Sequence, residues 1–206
     1  MTRYIFSAWM PDGQVGKSIA ELIQARTNEW NRERAAKSKP GYTFVCYQPE
    51  KMEKIKLTGD DQVYIKGHHG PGAGIISDFD SWNQTQVHRG QQVVVTATTL
   101  DPKRLTRRLH HCFHRSKSFA GKIKFFNCSS GVNGGASFAK IAADRMRAFW
   151  PKASYIGYDA TLLQRYGDYT DELASLRALL AGTPAPIERR KLAPDGRRAK
   201  SLQVPL

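Results

Sequence analysis

The feature that most constrains the fold of this chain is the alternation of short apolar stretches with amphipathic, helix-like stretches. The strand-like stretches are RYIFSAW (3–9), YTFVCYQ (42–48), QVYIKG (62–67), KIKFFN (122–127) and ASYIGY (153–158). A β-branched run, VVVTATT (93–99), suits a further strand or hairpin arm. Strands separated by helices predict an α/β fold with a mostly parallel sheet flanked by helices on both faces.

Helix signals occupy the intervals between these strands. SIAELIQARTNEW (18–30) predicts a first helix, which a basic, polar connection follows, and the stretch after GPGAG reads as a flexible polar loop. Asp101 and Pro102 predict an N-cap and a first helical residue. The apolar stripe of the next helix is Phe138, Ile141, Ala142, Met146 and Phe149, and a last helix is predicted from a Thr170 cap to a stop at Gly182.

The domain organisation follows from length and from the composition of the C-terminal part. The 206 residues suffice for one domain with a buried core, which we predict over residues 1–182. Residues 183–206 are basic and interrupted by prolines, which predicts a flexible C-terminal tail.

Charge and cysteine content bound the partners and the compartment. Lys and Arg number 32 against 18 Asp and Glu, a net charge of +14 that attracts polyanions, although an ordinary solvated surface explains it equally well. The three scattered cysteines favour free thiols in a reducing compartment. No apolar run approaches the roughly 20 residues of a membrane helix, and the first residues lack an apolar signal core. We therefore expect a cytoplasmic protein without a transmembrane segment.

Two loops are the candidate positions for a site, because sites on parallel sheets lie beyond the carboxyl ends of the strands. One is GHHGPGAG (67–74) and the other is NCSSGVNGG (127–135). The second loop lacks the lysine of a nucleotide-cradling GxxxxGK[ST] loop. It also has Gly134 where a thiol phosphatase needs an arginine. HHCFH (110–114) could offer two zinc ligands, but no third ligand is evident, so we predict no metal site.

Nucleophilic catalysis by Cys128 fits the two loops better. It needs a thiolate, a nearby base and amide donors for the developing oxyanion. His68 and His69 supply candidate bases, and Gly70 supplies an unobstructed N–H, provided that the two strands are neighbours. Cys46 and Cys112 are more simply explained as small buried residues.

VYIKGHHG and IKFFNCSSG resemble the His-Gly and Cys strand ends of caspase-like (clan CD) cysteine peptidases. The likeness is strongest to the self-cleaving cysteine protease domains of large bacterial toxins, over about residues 62–160. It implies a caspase-like three-layer sandwich and a cysteine endopeptidase that acts on protein or peptide substrates. Cys128 would attack the carbonyl and His69 would act as base, with His68 as the alternative base. The amides of Gly70 and Cys128 would form the oxyanion hole.

The resemblance also carries implications for specificity, regulation and location. Metacaspases, which cut after Lys or Arg, carry an aspartate where this chain has Phe126. Toxin-type domains cut after leucine and need no cofactor for the chemistry, but inositol hexakisphosphate in a basic cleft activates them. Such a protein would be a bacterial effector or toxin component, delivered into a target cell without a standard signal peptide. Candidate polyanion-binding residues here are Lys103, Arg104, Arg107, Arg108, Lys122 and Lys124.

Two other classes of function remain open on the sequence. One is a non-catalytic basic α/β module that binds nucleic acid or polyphosphate, although aromatic and basic residues are not interleaved along the sequence in a stacking pattern. The other keeps the Cys/His pair but deamidates or transfers acyl groups, since these reactions pass through the same kind of thioester.

Overall fold

The computed structural model describes residues 1–10, 19–67, 74–78, 83–88, 91–96, 98–127, 130–131, 136–158 and 203–206. In chain order, the elements are β1 (Arg3–Ser7), α1 (Ile19–Ala35), β2 (Thr43–Cys46), β3 (Gln62–Lys66), β4 (Ile76–Ser77), β5 (Asn83–His88), β6 (Gln91–Thr96), β7 (Thr99–Leu100), α2 (Pro102–Cys112), β8 (Lys122–Phe126), α3 (Phe138–Met146), β9 (Ser154–Tyr158) and β10 (Gln203–Pro205).

The central sheet has the strand order β10-β9-β8-β3-β1-β2. All of its neighbouring strands run parallel except β10, which pairs antiparallel with β9. Two smaller antiparallel pairs, β4 with β7 and β5 with β6, lie within the connection between β3 and α2. The predicted fold class, an α/β fold with a mostly parallel sheet, is therefore confirmed.

The two faces of the sheet pack against different helices because side chains alternate along each strand. On one face, Phe113 at the end of α2 contacts the rings of Tyr4 and Phe6 in β1. On the other face, Trp30 of α1 lies 6.0 Å from the ring of Tyr42, at the start of β2. Helices therefore cover both faces, as the sequence pattern predicted.

The start of α2 also agrees with the sequence. The Asp101 side chain accepts a hydrogen bond of 2.8 Å from the backbone N–H of Arg104, and Pro102 is the first helical residue. This satisfies one of the N–H groups that a helix start leaves without an intrahelical partner. The helix then packs on the sheet through Leu105 and Leu109, which are both buried.

Three sequence predictions need correction. Helix α1 continues to Ala35, so the expected connection begins five residues later than the first helical pattern suggested. The stretch expected to be a polar loop contains the strand Asn83–His88, whose polar sequence lacks the apolar alternation that marks a strand. Ile141 does not belong to the buried stripe of α3, because it is 39% exposed.

The last residues of the predicted C-terminal tail form a strand. Gln203–Pro205 forms β10, which pairs with β9 and so supplies hydrogen bonds to its outer edge. Arg147 donates a hydrogen bond of 2.6 Å to the carbonyl of Leu206, which also fixes the last residue. The remainder of the tail and the helix predicted before Gly182 lie outside the described residues. Among the helices that the structure does describe, none has the length and apolarity needed to cross a bilayer.

Candidate active site at the carboxyl edge of the sheet

Strands β3 and β8 are adjacent and parallel, which is the condition on which the proposed Cys/His site depends. Lys66 at the end of β3 pairs with Phe126 at the end of β8. The next described residues, Gly67 and Asn127, also approach each other: a Cβ placed on Gly67 would lie 3.3 Å from Asn127 Nδ2. The two candidate loops therefore leave the sheet side by side at its carboxyl edge.

The predicted catalytic residues follow directly from these two strand ends. His68, His69 and Gly70 come after Gly67, and Cys128 comes after Asn127. All four lie outside the described residues, so their roles stay predictions. What the structure describes is the framework on both sides of them.

Ser130, two residues after Cys128, is hydrogen-bonded to the ends of two strands. Its hydroxyl is fully buried, donates a hydrogen bond of 2.8 Å to the carbonyl of Phe125 in β8, and accepts one of 3.1 Å from the N–H of Tyr158 in β9. On the other side of Cys128, the N–H of Asn127 donates to the same Phe125 carbonyl at 2.8 Å. Both flanks of Cys128 are thus tied to one backbone atom at the end of β8.

The approach of the chain to the sheet at Gly131 requires glycine in β9. The N–H of Gly131 donates a hydrogen bond of 2.8 Å to the carbonyl of Tyr158. A Cβ on Gly157 would lie 2.9 Å from Gly131 Cα and 3.0 Å from its nitrogen, closer than real Cβ atoms approach backbone. Gly157 therefore permits the close packing of Gly131 on β9.

A packed corner with unpaired polar atoms lies between the ends of β1, β3 and β8. A Cβ on Gly67 would lie 2.9 Å from the Trp9 ring, and Gly67 also packs against the Asn127 amide. Asn127 is 2% exposed, and neither Nδ2 nor Oδ1 has a hydrogen-bond partner; Trp9 Nε1 is likewise buried and unpartnered. Leaving a buried polar group unsatisfied costs about 1–3 kcal/mol, so this corner lowers stability.

The other two thiols line a cavity of about 630 Å³ beside β2. Burial raises the pKa of the Cys46 thiol, and burial raises the pKa of the Cys112 thiol to about 11. Cys112 Sγ also lies 3.7 Å from the carbonyl oxygen of Cys46. Since the thiolate is the nucleophile, these two cysteines are poor candidates for catalysis, and the cavity contains no competing activated thiol.

Phe126, at the end of β8, has an aromatic and cationic environment. Its ring makes edge-on contacts with Tyr64 at 6.2 Å and Tyr158 at 5.2 Å, and Lys66 Nζ lies 4.3 Å from the ring centre. The structure thus places an ammonium group beside the ring of Phe126.

The six candidate polyanion-binding residues do not converge on one cleft. Lys103, Arg104, Arg107 and Arg108 belong to α2, on the Phe6 face of the sheet. Lys122 and Lys124 belong to β8 and lie on the opposite face of the sheet, the one that α1 covers. On that face, Lys124 Nζ lies 5.1 Å from the centre of the Tyr64 ring.

Arg108 is also engaged in the fold. It donates a hydrogen bond of 2.7 Å to the carbonyl of Ala8, and its guanidinium lies 4.8 Å from the centre of the Tyr47 ring. Burial lowers the pKa of this guanidinium. In contrast, Lys103, Arg104 and Arg107 are exposed, so the α2 surface that remains for a polyanion consists of these three.

The His-rich end of α2 is part of the packing of the fold. His110 stacks on Phe149 with ring centres 4.4 Å apart, and it accepts a hydrogen bond of 3.0 Å from Arg115. The carbonyl of His114 accepts a hydrogen bond of 2.9 Å from the Trp150 indole. In the part of the chain that the structure describes, no three His, Cys, Asp or Glu side chains form a group able to hold a metal ion.

No protein-family model matches this chain, and no curated protein matches it at a significant level. The resemblance to caspase-like peptidases consequently depends on the residues of the two loops.

Sequence reasoning missed Asn127 and Ser130 as contributors to the candidate site. Ser130 carried a signal, because a small hydroxyl residue two positions after Cys128 can bond to strand ends. Asn127 carried none, because its lack of partners depends on how Trp9 and Gly67 pack around it.

Proposed function

We propose that this chain is a cysteine endopeptidase in which Cys128 is the nucleophile and His69 is the base, with His68 as the alternative. The observation that carries the proposal is the adjacency of β3 and β8, with Lys66 paired to Phe126. His68 is bonded to Gly67 and Cys128 to Asn127, so the imidazole-bearing and thiol-bearing loops begin at neighbouring positions of one edge. This is the edge where sites on parallel sheets lie.

In the proposed reaction, the Cys128 thiolate attacks the scissile carbonyl carbon and forms a carbon–sulfur bond. The carbonyl oxygen takes the negative charge, and the N–H groups of Gly70 and Cys128 stabilise it. When the intermediate collapses, the carbon–nitrogen bond breaks and the imidazolium gives its proton to the leaving amine. Water, deprotonated by the same imidazole, then hydrolyses the thioester and restores the thiol–imidazole pair.

The anchored residues on both sides of Cys128 support a catalytic rather than a space-filling role for this thiol. Asn127 and Ser130 both bond to the Phe125 carbonyl, which fixes the chain before and after the nucleophile. Catalytic geometry requires such positioning, since small displacements of the reacting atoms are costly. Burial raises the pKa values of the Cys46 and Cys112 thiols, which disfavours their thiolates. The third cysteine of the sequence, Cys128, is therefore the better candidate for the nucleophile.

The surroundings of Phe126 favour cleavage after an apolar residue. No carboxylate is present at position 126 to attract a basic P1 side chain, and aromatic rings surround this position instead. We therefore infer a preference for leucine over lysine or arginine at P1, in line with the toxin-type resemblance.

A peptide cleavage assay read by mass spectrometry tests the proposal. Peptides that differ only in Leu, Lys or Arg at one position are incubated with the wild-type chain, with Cys128→Ala and with Cys46→Ala. We expect the backbone to be cut after leucine by the wild type and by Cys46→Ala, and no cut by Cys128→Ala. Cleavage that persists in Cys128→Ala contradicts the proposal, and an uncut peptide that gains about one mass unit on glutamine supports deamidation instead.

A polyanion site on α2 is a second proposal, which the exposure of Lys103, Arg104 and Arg107 favours. Inositol hexakisphosphate should raise the melting temperature of the chain at low salt, and less so at high salt because exposed charges are screened. The double variant Lys103→Ala/Arg107→Ala should lose this shift. The control Lys122→Ala, an exposed residue on the opposite face, should keep it; equal loss in both variants means that the binding is unspecific.

A further inference from the structure

Asn127 is buried in a way that its own side-chain chemistry disfavours. A carboxamide has two donor hydrogens and an acceptor oxygen, and buried amides nearly always find partners for them. Asn127 is 2% exposed, yet Nδ2 and Oδ1 both lack a partner, and the adjoining indole Nε1 of Trp9 lacks one too. Among the described residues, these two side chains are the ones with buried unpartnered polar atoms.

A second asparagine of the same chain shows what a structural amide looks like. Asn31 Nδ2 donates a hydrogen bond of 2.8 Å to the Tyr42 carbonyl, and Asn31 Oδ1 accepts one of 2.6 Å from the Tyr42 N–H. Both polar atoms of Asn31 therefore hold α1 to the start of β2. Asn127 provides no such link, although it is the more deeply buried of the two.

The position of Asn127 suggests a role for its side-chain amide in the candidate site. Its Nδ2 packs against Gly67, the residue directly before His68, and its own backbone continues into Cys128. The amide thus lies between the strand that leads to the imidazoles and the strand that leads to the thiol. An amide oxygen at this position can accept a hydrogen bond from one imidazole nitrogen, which leaves the other nitrogen free to accept a proton.

We propose that Asn127 is a positioning residue that orients the catalytic imidazole through its side-chain oxygen; this inference rests on the proposed peptidase function. The pairing forms when substrate is bound, and it then fixes the tautomer of the ring so that the other nitrogen accepts the thiol proton. The unpaired amide of the resting protein is then a stability cost retained for catalysis.

Replacing Asn127 by leucine, which has nearly the same shape, tests the inference. Asn127→Leu should lower kcat about 10- to 100-fold, because a misoriented base loses part of its general acid–base contribution. KM should stay within about twofold, since the residue acts through the imidazole and not on the substrate. The melting temperature should rise by about 2–4 °C, because unsatisfied buried polar atoms are removed.

Two further variants separate positioning from packing. Asn31→Leu is the matched control: it should lower the melting temperature and leave kcat unchanged, because it breaks two existing hydrogen bonds. Asn127→Asp keeps the acceptor oxygen, so it should recover at least about tenfold in kcat over Asn127→Leu. It should melt below the wild type, because it buries a carboxylate.

The results of this series test the inference and the proposed peptidase function separately. If Asn127→Leu melts lower than the wild type and keeps its kcat, as Asn31→Leu should, the amide is structural and the inference is wrong while the peptidase stands. If Asn127→Asp is as inactive as Asn127→Leu, the oxygen is not the group that acts, which also overturns the inference. If Cys128→Ala retains the wild-type activity, the peptidase function itself fails.

Discussion

Two buried polar side chains at opposite edges of the same sheet differ in how the fold treats them. At the amino edge, Asp61 is 2% exposed and accepts hydrogen bonds from the N–H of Thr2 and from the N–H and hydroxyl of Thr58. At the carboxyl edge, Asn127 is equally buried and accepts and donates none.

Backbone hydrogen bonds join the strands at both edges. At the amino edge, the Asp61 carbonyl accepts from Lys122, and the Gly121 carbonyl accepts from Ser154, so the starts of β3, β8 and β9 are joined in one series. At the carboxyl edge, β3 and β8 lead into the two candidate loops. The amino edge thus pairs its buried carboxylate, whereas the carboxyl edge pairs the Ser130 hydroxyl but leaves the Asn127 amide unpaired, as catalytic sites often do.

The largest expected effect lies at the amino edge. Asp61→Ala removes the acceptor of three hydrogen bonds and leaves donors near Thr2 and Thr58 unsatisfied. We expect the free energy of unfolding to fall by about 2–4 kcal/mol, measured by urea denaturation, while activity per folded molecule stays unchanged. Asp60→Ala, at an exposed neighbouring position, is the control and should be nearly neutral. A loss of specific activity in Asp61→Ala would break the contrast between the edges.

The second effect lies at the carboxyl edge and should be both structural and catalytic. Gly157→Ala forces a methyl group against the backbone of Gly131, three residues after Cys128, so this backbone must shift. We expect a destabilisation of about 1–3 kcal/mol and a fall in kcat/KM of folded protein. Gly59→Ala, where a Cβ meets nothing within 4 Å, should change neither. Unaltered kcat/KM in folded Gly157→Ala would separate this backbone from catalysis.

A smaller effect is the acid dependence of stability. Burial alone would raise the pKa of the Asp61 carboxyl, but the hydrogen bonds from Thr2 and Thr58 outweigh it and lower the pKa. The ionised form therefore stabilises the fold above the ordinary carboxyl pKa of about 3.9, and this contribution is lost as pH falls through the lower, folded value. Urea midpoints between pH 5 and pH 2 should fall more steeply in the wild type than in Asp61→Asn. Parallel curves would mean that Asp61 contributes no such linkage.

The smallest effect concerns the thiols away from the candidate site. With its pKa raised to about 11, the Cys112 thiol is neutral in the folded protein, and the stability that this neutrality contributes is lost as pH rises toward 11. Iodoacetamide followed by peptide mapping should therefore modify Cys112 in the folded chain only at strongly alkaline pH. Rapid modification of Cys112 at pH 7 would contradict the burial of this thiol.

The sequence was informative where a local rule determines the structure. The Asp101–Pro102 helix start and the alternation of strands and helices needed only neighbouring residues, and both predictions are confirmed. Asn83–His88 escaped because it pairs with β6 through its backbone while its side chains are mostly polar. The extension of α1 to Ala35 was not predicted because residues 31–35 are strongly polar and lack the apolar positions that mark a helix face.

The candidate site depended on tertiary packing, which the sequence predicts less well. The adjacency of β3 and β8 was a condition that the strand pattern allowed but did not require, and the structure supplies it. The division of the basic residues between two faces follows from sheet alternation and could have been anticipated for Lys122 and Lys124. The contacts between cations and aromatic rings could not have been anticipated, because they form between neighbouring strands. Lys66 of β3 lies over the Phe126 ring of β8, and Lys124 of β8 lies over the Tyr64 ring of β3.

The most direct test of the central claim, that thiol and imidazole share the carboxyl edge, is the pH dependence of Cys128 alkylation by iodoacetamide, resolved by peptide mapping. An imidazolium beside the thiol stabilises the thiolate, so the midpoint for wild-type Cys128 should lie well below the ordinary thiol value of about 8.5. His69→Ala or, for the alternative base, His68→Ala should return the midpoint to that value. A wild-type midpoint at or above about 8.5 that neither histidine variant changes would contradict the account.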